Sequence, residues 1–374
     1  MKYRIPELPL NVELETKEIL KQAIASNKKL AELNGLVKSV PNANIIINTL
    51  TLQEAKDSSA VESIITTQDE LYKAVLNVHH VGNPAAKEVQ TYADALKKGY
   101  AEVKQFGLLK NNTIVDICKN IKLNDSGFRV TPGTSLINQQ TNEVVYQPPQ
   151  SYDEIVSYMD NLERFINDNE ISDLDPLIKM AIIHHQFESI HPFGDGNGRT
   201  GRIVNVLYLV QQGLLDIPIL YLSRYIIKFK TDYYKLLQDV RDNGHWTAWI
   251  MFILKGIEQT SMETIQLVSD IKSLMYEFKV QIRKTHPKIY SQDLINNLFN
   301  HPYTKIDFLM TELNISRPTA TSYLNKLSEM GIVKKQKLGR DNFFVNVKLY
   351  NLLLNEFHTS SVESFDVETV SKSD

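Results

Sequence analysis

Between His191 and Arg202 the chain reads HPFGDGNGRTGR, twelve residues that hold an imidazole, a carboxylate, four glycines and two guanidiniums. Gly194, Gly196, Gly198 and Gly201 remove side chains where backbone must approach a ligand or take up a positive φ. Successive N–H groups in such a turn form an anion-binding nest, and a helix starting just after it adds a favourable field. Arg199 and Arg202 are three apart, so on a helix they share a face and can clamp neighbouring phosphates. Asp195 is a hard oxygen ligand suited to Mg²⁺ bridging phosphates. His191 leads the run with a side chain that titrates near neutrality and is competent as a base.

Other phosphate-binding motifs fit poorly. Gly196 to Gly201 spells GxGxxG, and Asp216 lies about where a ribose-binding acid would. That fingerprint must follow a β-strand. Here the preceding segment, from Asp175 to Ile190, places Leu177, Ile178, Ala181, Ile182 and Phe187 at helical spacing and is too long for a strand. No GxxxxGK(S/T) loop occurs. The run predicts a helix, a glycine turn and a second helix beginning at about Gly198.

The run resembles the signature of the Fic family, HPFx(D/E)GNGRxxR, at every specified position: His191, Pro192, Phe193, Asp195, Gly196, Asn197, Gly198, Arg199 and Arg202. The resemblance implies transfer of AMP from ATP to a hydroxyl (Tyr, Thr or Ser) of a target protein and of the chain itself. His191 would take the proton from the attacking hydroxyl. Asp195 would hold Mg²⁺. Gly196, Asn197, Gly198, Thr200 and Gly201 would cradle the nucleotide phosphates, with Arg199 and Arg202 stabilising the triphosphate charge. Phe193 would anchor the loop by packing. Upstream, Ser58 to Ser63 resembles the family's inhibitory motif (S/T)xxxE(G/N), which implies a bidentate contact from Glu62 to Arg202 that blocks the γ-phosphate. Ser63 departs from the pattern, where Gly or Asn is usual.

Two strand-like runs around a polar turn, Ser135 to Asn138 and Glu143 to Tyr146, predict a β-hairpin. The resemblance makes this a flap that docks a target segment by β-augmentation, through Leu136, Ile137, Val144 and Val145. It also places Tyr233 and Tyr234 near the adenine, and implies a homodimer. Cys118, the only cysteine, reads as a buried thiol. His184 and His185 are adjacent on a helix and make no i, i+4 metal pair.

The expected fold class is mainly α, a Fic-type helical bundle with a β-hairpin flap and a C-terminal winged helix-turn-helix domain. The 374 residues divide into an N-terminal helical region carrying the inhibitory motif over 1–100, a catalytic domain over 101–262, a connecting helix over 263–288, a winged-helix domain over 289–357 and a disordered tail over 358–374. In the C-terminal part, helices at Gln292 to Phe299, Ile306 to Leu313 and after an N-cap at Ser316 precede a hairpin. Residues 314–347 hold six basic side chains against two acidic ones, which suits DNA, although such modules also dock proteins. The whole chain, at a formal net charge of −3, has no global drive toward nucleic acid or membrane. One cysteine excludes a disulfide framework and, with no apolar h-region at the start, the expected location is cytoplasmic. Two further functions stay open: a nucleotide-sensing DNA-binding regulator, and removal of AMP from a target.

Overall fold

The computed structural model describes residues 3–67, 70–71, 83–137, 142–338 and 341–355. The tip of the expected flap, Gly339 and Arg340 of the second hairpin, and the tail over 358–374 lie outside the described residues.

Helices dominate the described chain because apolar residues recur at helical spacing and local caps start and stop each run. Thr16 caps α1 (Lys17–Lys38) by accepting from Ile19 N, and Asn42 caps α2 (Ala43–Val61) in the same way from Asn44 N. Asn83 and Pro84 open α3 (Pro84–Phe106), and Gly107 ends it at φ +69°. Then come α4 (Asn111–Lys122), the strands β1 (Leu136–Ile137) and β2 (Val144–Tyr146), and α5 (Tyr152–Asn167). Asp175 caps α6 (Pro176–Ile190), which is buried at every position from Leu177 onward and is therefore the central helix of the bundle. It packs on α7 (Asn197–Gln211) across the glycine turn. Gly201 allows the close approach, since a β-carbon there would meet the Phe187 ring and Glu188 Oε1 at 2.9 Å.

Two short helices, α8 (Leu222–Lys228) and α9 (Lys230–Asn243), lead into α10 (Trp246–Thr285). At forty residues α10 spans about 60 Å. Its first half lies in the bundle, where Trp249 Nε1 donates to Ala181 O at 2.8 Å and Ser26 Oγ donates to Leu254 O at 2.8 Å. The helix runs unbroken past residue 262 and carries the C-terminal unit on its second half.

That unit contains α11 (Gln292–Asn300), β3 (Tyr303–Thr304), α12 (Ile306–Leu313), α13 (Arg317–Glu329), β4 (Lys334–Leu338), β5 (Asp341–Val345) and α14 (Val347–Asn355). Ser316 caps α13, and Gly331 follows its end at φ +71°. The strands form an antiparallel sheet in the order β3-β5-β4, with Phe344 opposite both Thr304 and Lys335. Among the described residues no helix is long and apolar enough to cross a membrane.

Candidate active site

The site is the glycine turn between α6 and α7. His191 ends α6 in the left-handed region, φ +49°, which swings the chain out of the helix. Arg129 fastens that bend, donating from Nε to His191 O at 2.9 Å and from its backbone N to Pro192 O at 2.8 Å. Phe193 is 2% exposed and packs on Phe128 and Phe187. Asn197 closes the loop, because its Oδ1 accepts from Phe193 N and its Nδ2 donates to Phe193 O, both at 2.8 Å. The Asn197 amide is thus engaged within the turn and shapes the cradle rather than presenting itself to a ligand. Gly196, at φ +85°, caps α7 without a side chain, which leaves the first N–H groups of that helix for another acceptor.

A cavity of about 450 Å³ opens at this turn, lined by His191, the run Gly194 to Arg199, Glu62, Glu88, Lys122 and Leu136. The lining brings together His191, Asp195, Gly196, Asn197, Gly198, Arg199, Glu62 and the hairpin residue Leu136 from three separated parts of the sequence. Burial pushes the His191 imidazole down to about 4, helped by the Arg129 and Arg241 guanidiniums. It is therefore neutral at physiological pH, the form that can accept a proton. Burial works against ionisation of Asp195, but Lys122, with Nζ 2.5 Å from Oδ2, and Arg199 hold its carboxyl below the usual carboxylate range.

Ser58 and Glu62 come to the far side of the turn from the end of α2. Arg202, 2% exposed, donates from Nε to Ser58 Oγ and from Nη2 to Ser58 O, both at 2.8 Å, and from Nη2 to Glu62 Oε1 at 3.1 Å. The expected Glu62–Arg202 pair is present, but it is single-pronged, and Ser58 supplies the other contacts. Gly198 makes room for it, because a β-carbon there would collide with Glu62 Oε1 and lie 3.0 Å from Arg202 Nη1. Ser63 sits at φ +64°, with Ser63 N donating to Ala60 O and Ile64 N to Ser59 O. This is the Schellman arrangement, whose C′ position favours glycine, and it explains why Gly or Asn is usual there. Beside the pair, burial raises Glu188 to about 7 against the pull of Arg202.

Several expected contacts fall elsewhere. Tyr233 is 2% exposed, with its hydroxyl 2.8 Å from His184 Nε2 and its ring against Trp249, so it is a core residue and not part of the cavity wall. Tyr234 does not line the cavity, but burial and the Glu62 charge raise its hydroxyl while Arg202 lowers it, so it stands near the Glu62–Arg202 pair. Thr200 is fully buried and Gly201 faces α6, so neither reaches the cavity. Arg202 faces α2 rather than the cavity wall. In the flap, Leu136 opposes Tyr146 and Ile137 opposes Val144, with Ile137, Val144 and Val145 exposed. The Tyr146 hydroxyl anchors it by donating to Ser189 O at 2.8 Å. Cys118 is buried, its thiol raised to about 11 by burial, and lies under the turn at Asp195. Glu88 and Lys122 carry no motif and were reachable only through the fold. Among the described residues no three His, Cys, Asp or Glu side chains cluster to hold a metal on their own. Asp195, in the turn itself, would suit Mg²⁺, which commonly takes one or two carboxylates and completes its shell with phosphates and water.

Comparison with known proteins points to one family. The Fic/DOC family N-terminal domain matches residues 20–101, the Fic/DOC family domain matches residues 109–209, and the C-terminal domain of SoFic-like protein adenylyltransferases matches residues 274–349. A probable protein adenylyltransferase of Aquifex aeolicus is 37% identical over 103 residues, 27% of this chain and 30% of that protein. The protein adenylyltransferase Fic of Drosophila erecta is 29% identical over 123 residues, 33% of this chain and 23% of that protein. The matched stretch is thus a third or less of either relative. Among solved structures, a Fic family protein from Desulfovibrio desulfuricans shares the fold, with a TM-score of 0.56, 20% identity, and coverage of 90% of this chain and 97% of that one.

Proposed function

The chain carries the N-terminal and central domains of the Fic/DOC family, and on that premise we propose that it is a protein adenylyltransferase held inactive by its own Glu62. The hydroxyl of a target side chain attacks the α-phosphorus of ATP, its proton passes to His191, the bond from the α-phosphorus to the bridging oxygen breaks, and pyrophosphate leaves. The observation that carries this reading is the convergence of a neutral His191, an ionised Asp195 and the uncapped start of α7 on one cavity. The α7 N–H groups and Arg199 stabilise the phosphate charge, which should be the larger contribution, with the base worth roughly 10²–10⁴-fold. Mg²⁺, when bound, would offset charge on the polyphosphate, and Asp195 is the residue that would hold it. Leu136 at the cavity rim and the exposed Ile137, Val144 and Val145 form the edge along which a target segment pairs.

Glu62 acts as the inhibitor in this reading, because with Ser58 it occupies the Arg202 guanidinium that would otherwise meet the γ-phosphate. Residues 1–100 then form the inhibitory region, 101–262 the catalytic domain, and 289–357 a winged helix joined through α10. The test is transfer from ATP labelled at the α-phosphate, with γ-labelled ATP in parallel, in the unchanged chain, Glu62→Gly and His191→Ala. Label from the α position only, strongest in Glu62→Gly and absent in His191→Ala, is the expected result. Label from the γ position overturns it. ATP binding with no label in any variant moves the reading to a nucleotide-sensing DNA-binding regulator, which the exposed Lys334, Lys335 and Lys337 of β4 favour.

A further inference from the structure

Two cations, Lys122 and Arg199, line the cavity and a third, Arg202, lies behind it, and each has a carboxylate from a different part of the fold. Glu62 of the α2 end meets Arg202 at 3.1 Å, Asp195 of the turn meets Lys122 at 2.5 Å, and Glu88 of α3 meets Arg199 at 2.7 Å. Three positive and three negative groups cancel, so the site as it stands has little net attraction for a polyanion. Loss of Glu62 frees only one of the three. Asp195, were it to hold a cation, would release Lys122. Glu88 then remains on Arg199.

We propose that Glu88 is a second carboxylate latch, occupying the Arg199 guanidinium in place of a polyphosphate as Glu62 occupies Arg202; this rests on the polyphosphate reading of the cavity. The burial of the two partners is unequal, with the Arg199 side chain 3% exposed and Glu88 38% exposed. The arginine is fixed and the glutamate is the partner that can swing into water. Arg199 is also under-satisfied: its Nε has no hydrogen-bond partner among the described residues, and Asp195 Oδ1 lies 3.9 Å away, beyond hydrogen-bond reach. A buried guanidinium in that condition exchanges one carboxylate readily for a phosphate, which offers several acceptor oxygens. Glu88 itself lines the cavity, so an incoming polyphosphate meets its charge directly. It stands 111 positions from Arg199, on a helix outside the glycine turn.

The experiment is calorimetric titration of ATP with Mg²⁺ into the full chain, the Glu62→Gln and Glu88→Gln single variants and the double variant. Glutamine keeps an acceptor for Arg199 and removes the charge, and Glu88→Asp is added to keep the charge while shortening the reach. The expected result is a Kd about tenfold lower in Glu88→Gln with Glu62 intact, and lower still in the double variant, in keeping with loss of a charge-assisted contact. A merely structural role for Glu88 would lower the melting temperature and leave Kd unchanged or weaker. Tightening in Glu62→Gln without tightening in Glu88→Gln or Glu88→Asp overturns the second latch and leaves the polyphosphate reading standing. No ATP binding in any variant overturns both.

Discussion

At the scale of single residues, Ser63 has the clearest consequence. It occupies the C′ position of α2 at φ +64° with a side chain that this conformation disfavours, directly after the glutamate that contacts Arg202. The left-handed region costs a non-glycine residue on the order of 1 kcal/mol, a cost that glycine would not carry. Ser63→Gly should therefore stabilise the end of α2 and lower self-labelling from α-labelled ATP several-fold. A rise in labelling, or no change with an unaltered melting curve, would show that the Ser63 conformation does not set the Glu62 contact. The departure at Ser63 was visible in the sequence, but its meaning was not, because only the backbone angle shows what glycine would relieve. The core of the site was legible for the opposite reason. His191, Asp195 and the run from Gly196 to Arg199 are contiguous, so their chemistry is local. That Tyr233 turns inward onto His184 was not legible because an aromatic pair in the sequence does not say which ring is buried, and Glu88 and Lys122 gave no signal because their partners are distant in sequence.

At the scale of elements, α2 is held by buried polar contacts along one side. Glu54 accepts from the Tyr92 hydroxyl of α3 at 3.1 Å and from Ser223 of α8, and Asp57 lies 3.4 Å from Arg224 of α8. Burial, with Asp57 adding to it and Ser223 and Arg202 opposing, raises the Glu54 carboxyl to about 8. The folded chain thus keeps a proton there that the unfolded chain, with Glu54 near 4.5, gives up. The stability linked to that proton is fully present below about pH 4.5 and is lost as pH rises to about 8. Glu54→Gln keeps the shape without the titration. Its melting temperature should fall less steeply between pH 5 and 8 than that of the unchanged chain, leaving it higher at pH 8 by on the order of a few °C. Parallel melting curves for the two would contradict a buried, protonated Glu54. This helix was also the element least legible in the sequence. Residues from Thr49 to Ala55 are all buried, polar and apolar alike, so no apolar stripe stands out against a polar face. The helix α12, by contrast, begins and ends at the expected residues, Ile306 and Leu313.

At the scale of the whole molecule, the C-terminal unit does more than follow the bundle. Through α10 it folds back onto α2. Gln53 Nε2 donates to Leu353 O of α14 at 3.2 Å, and Asn48 Nδ2 donates to Asn300 Oδ1 of α11 at 3.0 Å. Gln281 Nε2 of α10 donates to Met330 O at 3.0 Å, and Lys348 meets Glu277 at 2.5 Å, which fixes the unit on the far half of the same long helix. The helix that carries Glu62 is therefore clamped between the bundle on one side and the C-terminal unit on the other. Nothing in the sequence pairs Gln53 with Leu353, three hundred positions apart, and this docking appears only in the fold. Each of the two hydrogen bonds contributes about 1 kcal/mol to keeping α2 seated, so removing both should raise its local opening more than tenfold. The Asn48→Ala, Gln53→Ala double variant is accordingly expected to show faster amide exchange across residues 45–61 and a few-fold rise in α-phosphate self-labelling, short of the level in Glu62→Gly. Unchanged exchange in α2, with labelling also unchanged, would mean that the bundle alone seats the helix. Faster exchange without more labelling would mean that Glu62 stays on Arg202 while the rest of α2 loosens, and would place control of the site at the end of the helix alone.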